Sequence, residues 1–133
     1  MMKTCVIDTS FMLSYVLEDE ASPLIQLKNY RVYVPTLFFL ECTNVLGMAL
    51  KKGRITPPTH QLYLEAICDL DFHLDSFSMQ KEAILTLNRL MQKHELTSYD
   101  ACYLELALRL GSPLGTYDKK LQTACTKAKV PLL

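Results

Sequence analysis

Thr4-Cys5-Val6-Ile7-Asp8-Thr9-Ser10-Phe11 is the stretch on which the fold reading turns. A short apolar run, rich in β-branched residues, ends at a carboxylate, and two residues suited to helix N-caps follow. The run reads as a buried strand, and 11–17 reads as the helix it feeds. Outward from there the same alternation continues. Ser22-Pro23 predicts a helix to about residue 29, with proline at its first position. Residues 31–34 read as a strand closed by Pro35, and 36–52 as a long helix. Lys51 and Lys52 sit at that helix's negative end, with Gly53 just beyond. Thr56-Pro57-Pro58 opens a helix to about residue 70, and 72–74 is a short strand. Residues 78–93 form an amphipathic helix with Ala83, Leu87, Leu90 and Met91 on one stripe. A helix over 97–110 stops at Gly111, a strand spans 113–116, a helix 118–128, and a last strand 130–133. Strands separated by helices predict an α/β fold with a central, mainly parallel sheet and helices on both faces. The strand order is not legible in the pattern.

The chain has 133 residues, which suits one domain spanning 1–133. At that size about 68% of the unfolded surface is buried on folding, enough for a core without disulfide or metal staples. Half the residues are apolar and 21% are charged, which excludes disorder. No stretch free of Asp, Glu, Lys and Arg exceeds ten residues, so no membrane span is expected. Asp8 interrupts the first apolar run, and no small-residue cleavage site follows, so no signal peptide is expected. Cys5, Cys42, Cys68, Cys102 and Cys125 are odd in number and never in C-x-x-C spacing. They read as reduced core thiols of a cytoplasmic protein rather than a disulfide frame or zinc site. Formal net charge is zero, which excludes coating of nucleic acid by bulk charge.

The placement of the carboxylates is more telling than their number. Asp8 follows the first predicted strand and Asp118 the fourth, while Glu41 and Asp100 interrupt apolar helices. Each has an ordinary explanation. Asp8 and Asp118 lie near helix starts, where aspartate is common, and Thr97-Ser98-Tyr99-Asp100 has the spacing of a capping box. Glu41, in mid-helix after Leu37-Phe38-Phe39-Leu40, is the hardest to explain away, because a carboxylate in apolar company needs a proton, a cation or hydrogen bonds. Glu105 serves as a control: five residues beyond Asp100 it faces another way and is expected to be solvated or paired. Four carboxylates together, without matching basic residues nearby in sequence, point to a hard cation such as Mg2+ or Mn2+. Setting the four aside leaves 14 basic against 10 acidic residues on the rest of the chain. An acidic, metal-loaded pocket on a mildly basic body suits cleavage of a phosphodiester.

At these residues the chain resembles the PIN-domain ribonucleases, and is most similar to the VapC-type toxins of toxin–antitoxin pairs. The matching segments are Val6-Ile7-Asp8-Thr9-Ser10-Phe11, Glu41-Cys42-Thr43-Asn44-Val45-Leu46, Leu96-Thr97-Ser98-Tyr99-Asp100-Ala101-Cys102-Tyr103-Leu104, and Gly115-Thr116-Tyr117-Asp118-Lys119-Lys120-Leu121. They stand in the family's order, and the resemblance extends over essentially the whole chain, with 53–77 the least patterned part. It implies a three-layer α/β/α fold and Mg2+- or Mn2+-dependent endonucleolytic cleavage of RNA, leaving 5′-phosphate and 3′-hydroxyl ends. Carried over by position, Asp8, Glu41, Asp100 and Asp118 are the catalytic and metal-binding carboxylates, with Ser10 and Thr116 supporting them. Asn44, three residues after Glu41, shares its helix face and is placed to steady the pocket. The resemblance further implies a homodimer inhibited by a small antitoxin protein.

Basic residues near the motifs are candidates for gripping RNA: Lys119 and Lys120 after Asp118, and Lys51, Lys52 and Arg54 at the end of the Glu41 helix. Tyr99 and Tyr117 each precede a candidate aspartate and are suited to packing or to stacking a base. Phe11, Leu13, Tyr15, Phe38 and Phe39 are an apolar supply expected mostly in the core, with a remainder for a partner helix. His60, His73 and His94 fall outside the motifs and are expected on the surface or in the core. Rival readings fit less well. A haloacid-dehalogenase-type phosphatase needs a second aspartate where Ser10 stands, and a receiver domain needs an adjacent acidic pair that is missing. A PIN-superfamily DNA nuclease generally carries insertions for which the length leaves little room, and a non-catalytic PIN-fold scaffold has no need of four intact carboxylates.

Overall fold

The computed structural model describes residues 2–17 and 27–133. The predicted helix from Ser22 therefore falls mostly outside the described residues, and its expected end, 27–29, is a turn. In chain order the elements are β1 (Lys3–Ile7), α1 (Thr9–Leu17), β2 (Tyr30–Pro35), α2 (Leu37–Lys51), α3 (Pro57–Cys68) and β3 (His73–Asp75). A single 3-10 turn (Phe77–Met79) leads to α4 (Ala83–His94), α5 (Ser98–Leu110), β4 (Leu114–Gly115) and α6 (Lys119–Lys127).

The four strands form one sheet in the order β3-β2-β1-β4, all parallel, with Cys5 opposite Val32, Val6 opposite Leu114 and Val34 opposite Leu74. Successive strand residues point to opposite faces, yet Cys5, Val6 and Ile7 are all fully buried. Both faces of the central strand are therefore covered, the three-layer arrangement expected of a helix-flanked parallel sheet. The chain leaves β1 towards β2 on one side and returns to β4 on the other. That makes the β1–β4 boundary the point where strand order reverses, and a crevice opens there beyond the carboxyl ends. Asp8 directly follows one of those strands, and Thr116 to Asp118 follow the other.

Several boundaries differ from the sequence expectation for local reasons. Asp8, not Thr9 or Ser10, caps α1, with its Oδ1 accepting the Phe11 amide at 2.9 Å. The helix expected from residue 78 starts at Ala83, because Phe77 and Met79 form the 3-10 turn and Gln80 is extended (φ −93°, ψ 144°). The stripe that begins at Ala83 is the part that folds as read. The last expected strand, 130–133, is reduced to one parallel bridge between Leu114 and Leu132. Lys129 turns left-handed just before it (φ 61°), and Pro131 has no amide to donate. Cys68 is exposed, unlike the other four cysteines, and all five are free thiols. Phe11, Leu13 and Phe38 are core, so they offer nothing to a partner.

Gly115 is packed against the Phe11 ring, where an added Cβ meets ring carbons at 3.0 to 3.1 Å. The close approach of β4 to α1 thus depends on a missing side chain.

Glu105 is buried and paired. Arg109 donates from Nε to its Oε2 at 2.8 Å and from Nη2 to its Oε1 at 3.0 Å. The same guanidinium reaches Asp75, at the end of β3, through Nη2 at 2.7 Å and Nη1 at 3.0 Å, tying α5 to the sheet edge. Arg109→Met is expected to destabilise the fold by about 2 kcal/mol, because Glu105 is left buried without its partner. The figure sits at the low end because the Arg109 side chain is 38% exposed and screened. Arg109 holds the Asp75 carboxyl below its usual range, so that share of stability is present above pH ~4 and lost as pH falls further. Thermal unfolding at pH 7 and pH 3 should show a Tm deficit in the variant that narrows on acidification. Equal Tm values at pH 7 would show the bridge to be ornamental.

Candidate active site

The β1–β4 crevice begins with Asp8, which is 5% exposed. Its Oδ1 accepts from the Ser10 hydroxyl at 2.7 Å as well as from the Phe11 amide, and its Oδ2 accepts from the Thr116 hydroxyl. Ser10 and Thr116 are 3.4 Å apart, and the Tyr117 amide donates to Ser10 Oγ at 3.0 Å. The Asp118 amide donates to Thr116 Oγ1 at 3.1 Å. Two hydroxyls thereby lock the carboxylate after β1 to the loop after β4. Burial still dominates these bonds and pushes the Asp8 carboxyl above its usual range, with Asp118 adding like-charge repulsion.

Asp118 is exposed and caps α6, its Oδ1 accepting the Leu121 amide at 2.9 Å. Oδ2 has no hydrogen-bond partner among the described residues. The ordinary explanation of Asp8 and Asp118 as helix caps is thus correct for both, and it coexists with their facing one another across the crevice.

Glu41 reaches the same region from α2. Tyr103 donates to its Oε1 at 2.6 Å and Thr9 at 3.5 Å, so both bonds fall on one oxygen. Desolvation raises its pKa, and Asp100 raises it further. Asp100 lies in the first turn of α5, where Thr97 caps the helix by accepting the Asp100 amide at 3.2 Å. Its carboxyl is pushed up to about 6 by desolvation first, then by Asp118 and Asp8, with Lys120 partly offsetting the repulsion. The couplings close a circuit: Asp8 with Asp118, Asp100 with both, and Glu41 with Asp100. Glu41 is thus joined to Asp118 only through Asp100, and the two line separate depressions, Glu41 one with Asn44 and Tyr99, Asp118 one with Thr9, Ser10 and Tyr117. Among the described residues, none of the four carboxylates is in a salt bridge.

Donor chemistry and donor placement give different answers about a cation. The donors are all hard oxygens, as Mg2+ and Mn2+ require. Yet among the described residues no three acidic, cysteine or histidine side chains are gathered in an arrangement that holds an ion. The site is a set of mutually repelling carboxylates around a crevice, not a closed chelate.

Asn44 is exposed on the wall beside Glu41, and no hydrogen bond joins them among the described residues. Lys51 and Lys52 are about 15 Å along α2 from Glu41, given its rise per residue. Lys119 and Lys120 line a cleft of about 200 Å³ with His94, Glu95, Thr123 and Lys127. The sequence had not singled out Tyr103, Thr9 or Lys127. Tyr103 stands three residues after Asp100 and hence on the same helix face, the one signal by which it was findable. Thr9 carried none, since it read as a cap. His94 adds an oddity, for its Nδ1 is buried without a hydrogen-bond partner.

Fold and crevice together describe an α/β domain with an acidic centre at the reversal point of a parallel sheet. A family model of the PIN domain matches residues 5–127, and the chain belongs to the PIN-domain family, a superfamily of nucleases. A search of curated proteins finds no match. Among solved structures, PAE2754 from Pyrobaculum aerophilum is similar with a TM-score of 0.70 at 20% identity, covering 92% of this chain and 79% of that one. A PilT N-terminus domain protein, SSO1118 from Sulfolobus solfataricus P2, is similar with a TM-score of 0.51 at 18% identity, covering 98% and 85%. At such identities these likenesses concern the fold. No described helix is long and apolar enough to cross a membrane.

Proposed function

We propose that the protein is an endoribonuclease dependent on Mg2+ or Mn2+, with Asp8, Glu41, Asp100 and Asp118 as its acidic centre. The observation that carries the reading is the set of coupled carboxylates without a salt-bridge partner among the described residues, Asp8 and Asp118 just after β1 and β4, Glu41 from α2 and Asp100 from α5, three of them with raised pKa. A fold keeps such repulsion when a cation relieves it during function. Asp118 Oδ2 and Glu41 Oε2 carry no bond among the described residues and are the donors open to an ion. Asp8 is held in place by Ser10, Thr116 and the Phe11 amide. A divalent ion held by these carboxylates would supply a water of lowered pKa and positive charge beside the phosphate. Tyr103 fixes the rotamer of Glu41, as partners beyond the donor set do in metal sites generally. Lys119, Lys120 and Lys127 bring three ammonium groups against one carboxylate, Glu95, to a cleft suited to RNA phosphates. The resemblance to VapC-type toxins extends the proposal to a homodimer restrained by a small antitoxin.

The test is incubation of the purified protein with total RNA in Mn2+ or EDTA, followed by end mapping. Cleavage in Mn2+ alone, leaving 5′-phosphate and 3′-hydroxyl ends, is the expected result. Intact RNA under both conditions would favour the non-catalytic scaffold, and cleavage of duplex DNA in its place would favour a DNA nuclease.

A further inference from the structure

The two tyrosines that precede candidate aspartates part company in the structure. Tyr117 has one face taken, its ring stacked on Phe11 at 5.4 Å between centroids and 16° between planes, although it is still 44% exposed. Tyr99 is 62% exposed, and its ring stacks on no other ring among the described residues. It stands between two adjoining depressions of about 540 and 330 Å³, both of which also include Leu37 and Leu40. Leu40 is 74% exposed, as is Met79 at the far end, so a continuous apolar floor is left open to water. The larger depression is bounded by Glu41, and Tyr99 adjoins Asp100 in the chain, so the groove runs into the carboxylate centre. Its rim carries small polar side chains, Thr43, Asn44 and Ser98.

From this continuity we infer that Tyr99 and the Leu37–Leu40 floor form a subsite for an unpaired nucleobase flanking the scissile phosphate. The inference rests on the nuclease reading above. The chemistry favours a base over a phosphate. The groove is apolar and its one carboxylate repels an anion. An open phenol ring offers a stacking face to any base, and Asn44 and Thr43 offer hydrogen bonds to a base edge. The lysine cleft at Lys119 and Lys120 takes the backbone on the other flank.

The chain contains no tryptophan, so Tyr99→Trp introduces a sole indole at the proposed contact. Its emission is measured in EDTA with a single-stranded oligoribonucleotide and with the same strand made abasic. Quenching by the intact strand and loss of that quenching with the abasic one is the expected result. In parallel, Tyr99→Ala should raise KM about tenfold with little change in kcat, and Tyr99→Phe should behave as wild type. Unquenched emission at saturating RNA, or equal quenching by the abasic strand, would overturn the subsite. So would an unchanged KM in Tyr99→Ala, the result expected if the groove instead takes a partner protein's helix. In those cases normal Mn2+-dependent cleavage by the wild-type protein leaves the nuclease reading standing. Absence of any cleavage fails that reading separately, because the fluorescence measurement needs no turnover.

Discussion

Asp100→Asn should reduce Mn2+-dependent RNA cleavage by about a thousandfold or more, with the fold intact. A divalent ion at a developing phosphorane charge supplies several kcal/mol, and each 1.4 kcal/mol is a factor of about ten in rate. Asp100 is the carboxylate that couples to the other three, so a neutral amide there weakens the whole circuit. Loss of activity through unfolding is distinguishable by sign. The folded state raises the Asp100 pKa to about 6, so the ionised group costs stability above that pH and the cost fades as pH falls towards 4. Asparagine never incurs it. Without metal, then, the variant should melt at or above the wild-type temperature at pH 7, and the gap should shrink on acidification. Full cleavage by a well-folded Asp100→Asn protein would remove Asp100 from the mechanism.

Tyr103→Phe is expected to lower the rate about 10- to 100-fold, the usual cost of losing a partner that orients a metal donor. The Tyr103 ring is fully buried, and phenylalanine keeps that packing while removing the one short donor to Glu41 Oε1. Glu41 then has only the Thr9 hydroxyl, at 3.5 Å, to compensate its desolvation. Its ionised form is disfavoured and its rotamer loosened, so higher Mn2+ concentrations should restore part of the loss. Steady-state cleavage across a Mn2+ series checks this. Wild-type rates throughout the series would reduce Tyr103 to a packing residue.

What was readable beforehand follows from which interactions are local. Apolar runs such as Thr4 to Ile7 and the stripe from Ala83 to Met91 carry their own period, so element type was legible. The four carboxylates were legible as a group because a charged residue in an apolar run violates a local rule. Their meeting place was not, since it depends on the β3-β2-β1-β4 order, and pairing order is set by tertiary packing. Partnerships such as Tyr103 with Glu41 or Arg109 with Asp75 span 62 and 34 residues, and neither neighbourhood names the partner, even where Tyr103 shares a helix face with Asp100. The residue pair Tyr99 and Tyr117 makes the same point. Both precede an aspartate, and only the position of Phe11 decides which ring has a stacking partner. Element boundaries depart from the local pattern where a side chain diverts the backbone, as Asp75 Oδ1 does by taking the Phe77 amide at 3.1 Å ahead of α4.

In the proposed function, the open crevice closes around a hard cation. Thermal unfolding in a Mn2+ series reads it without any substrate. An ion that binds only the folded state stabilises it by about 2.7 kcal/mol at a hundredfold excess over Kd, a rise in Tm of several degrees for a chain of this size. The wild-type Tm should climb with Mn2+ and the Asp100→Asn Tm should stay nearly flat. A wild-type Tm indifferent to Mn2+, or an equal climb in both proteins, would contradict the account.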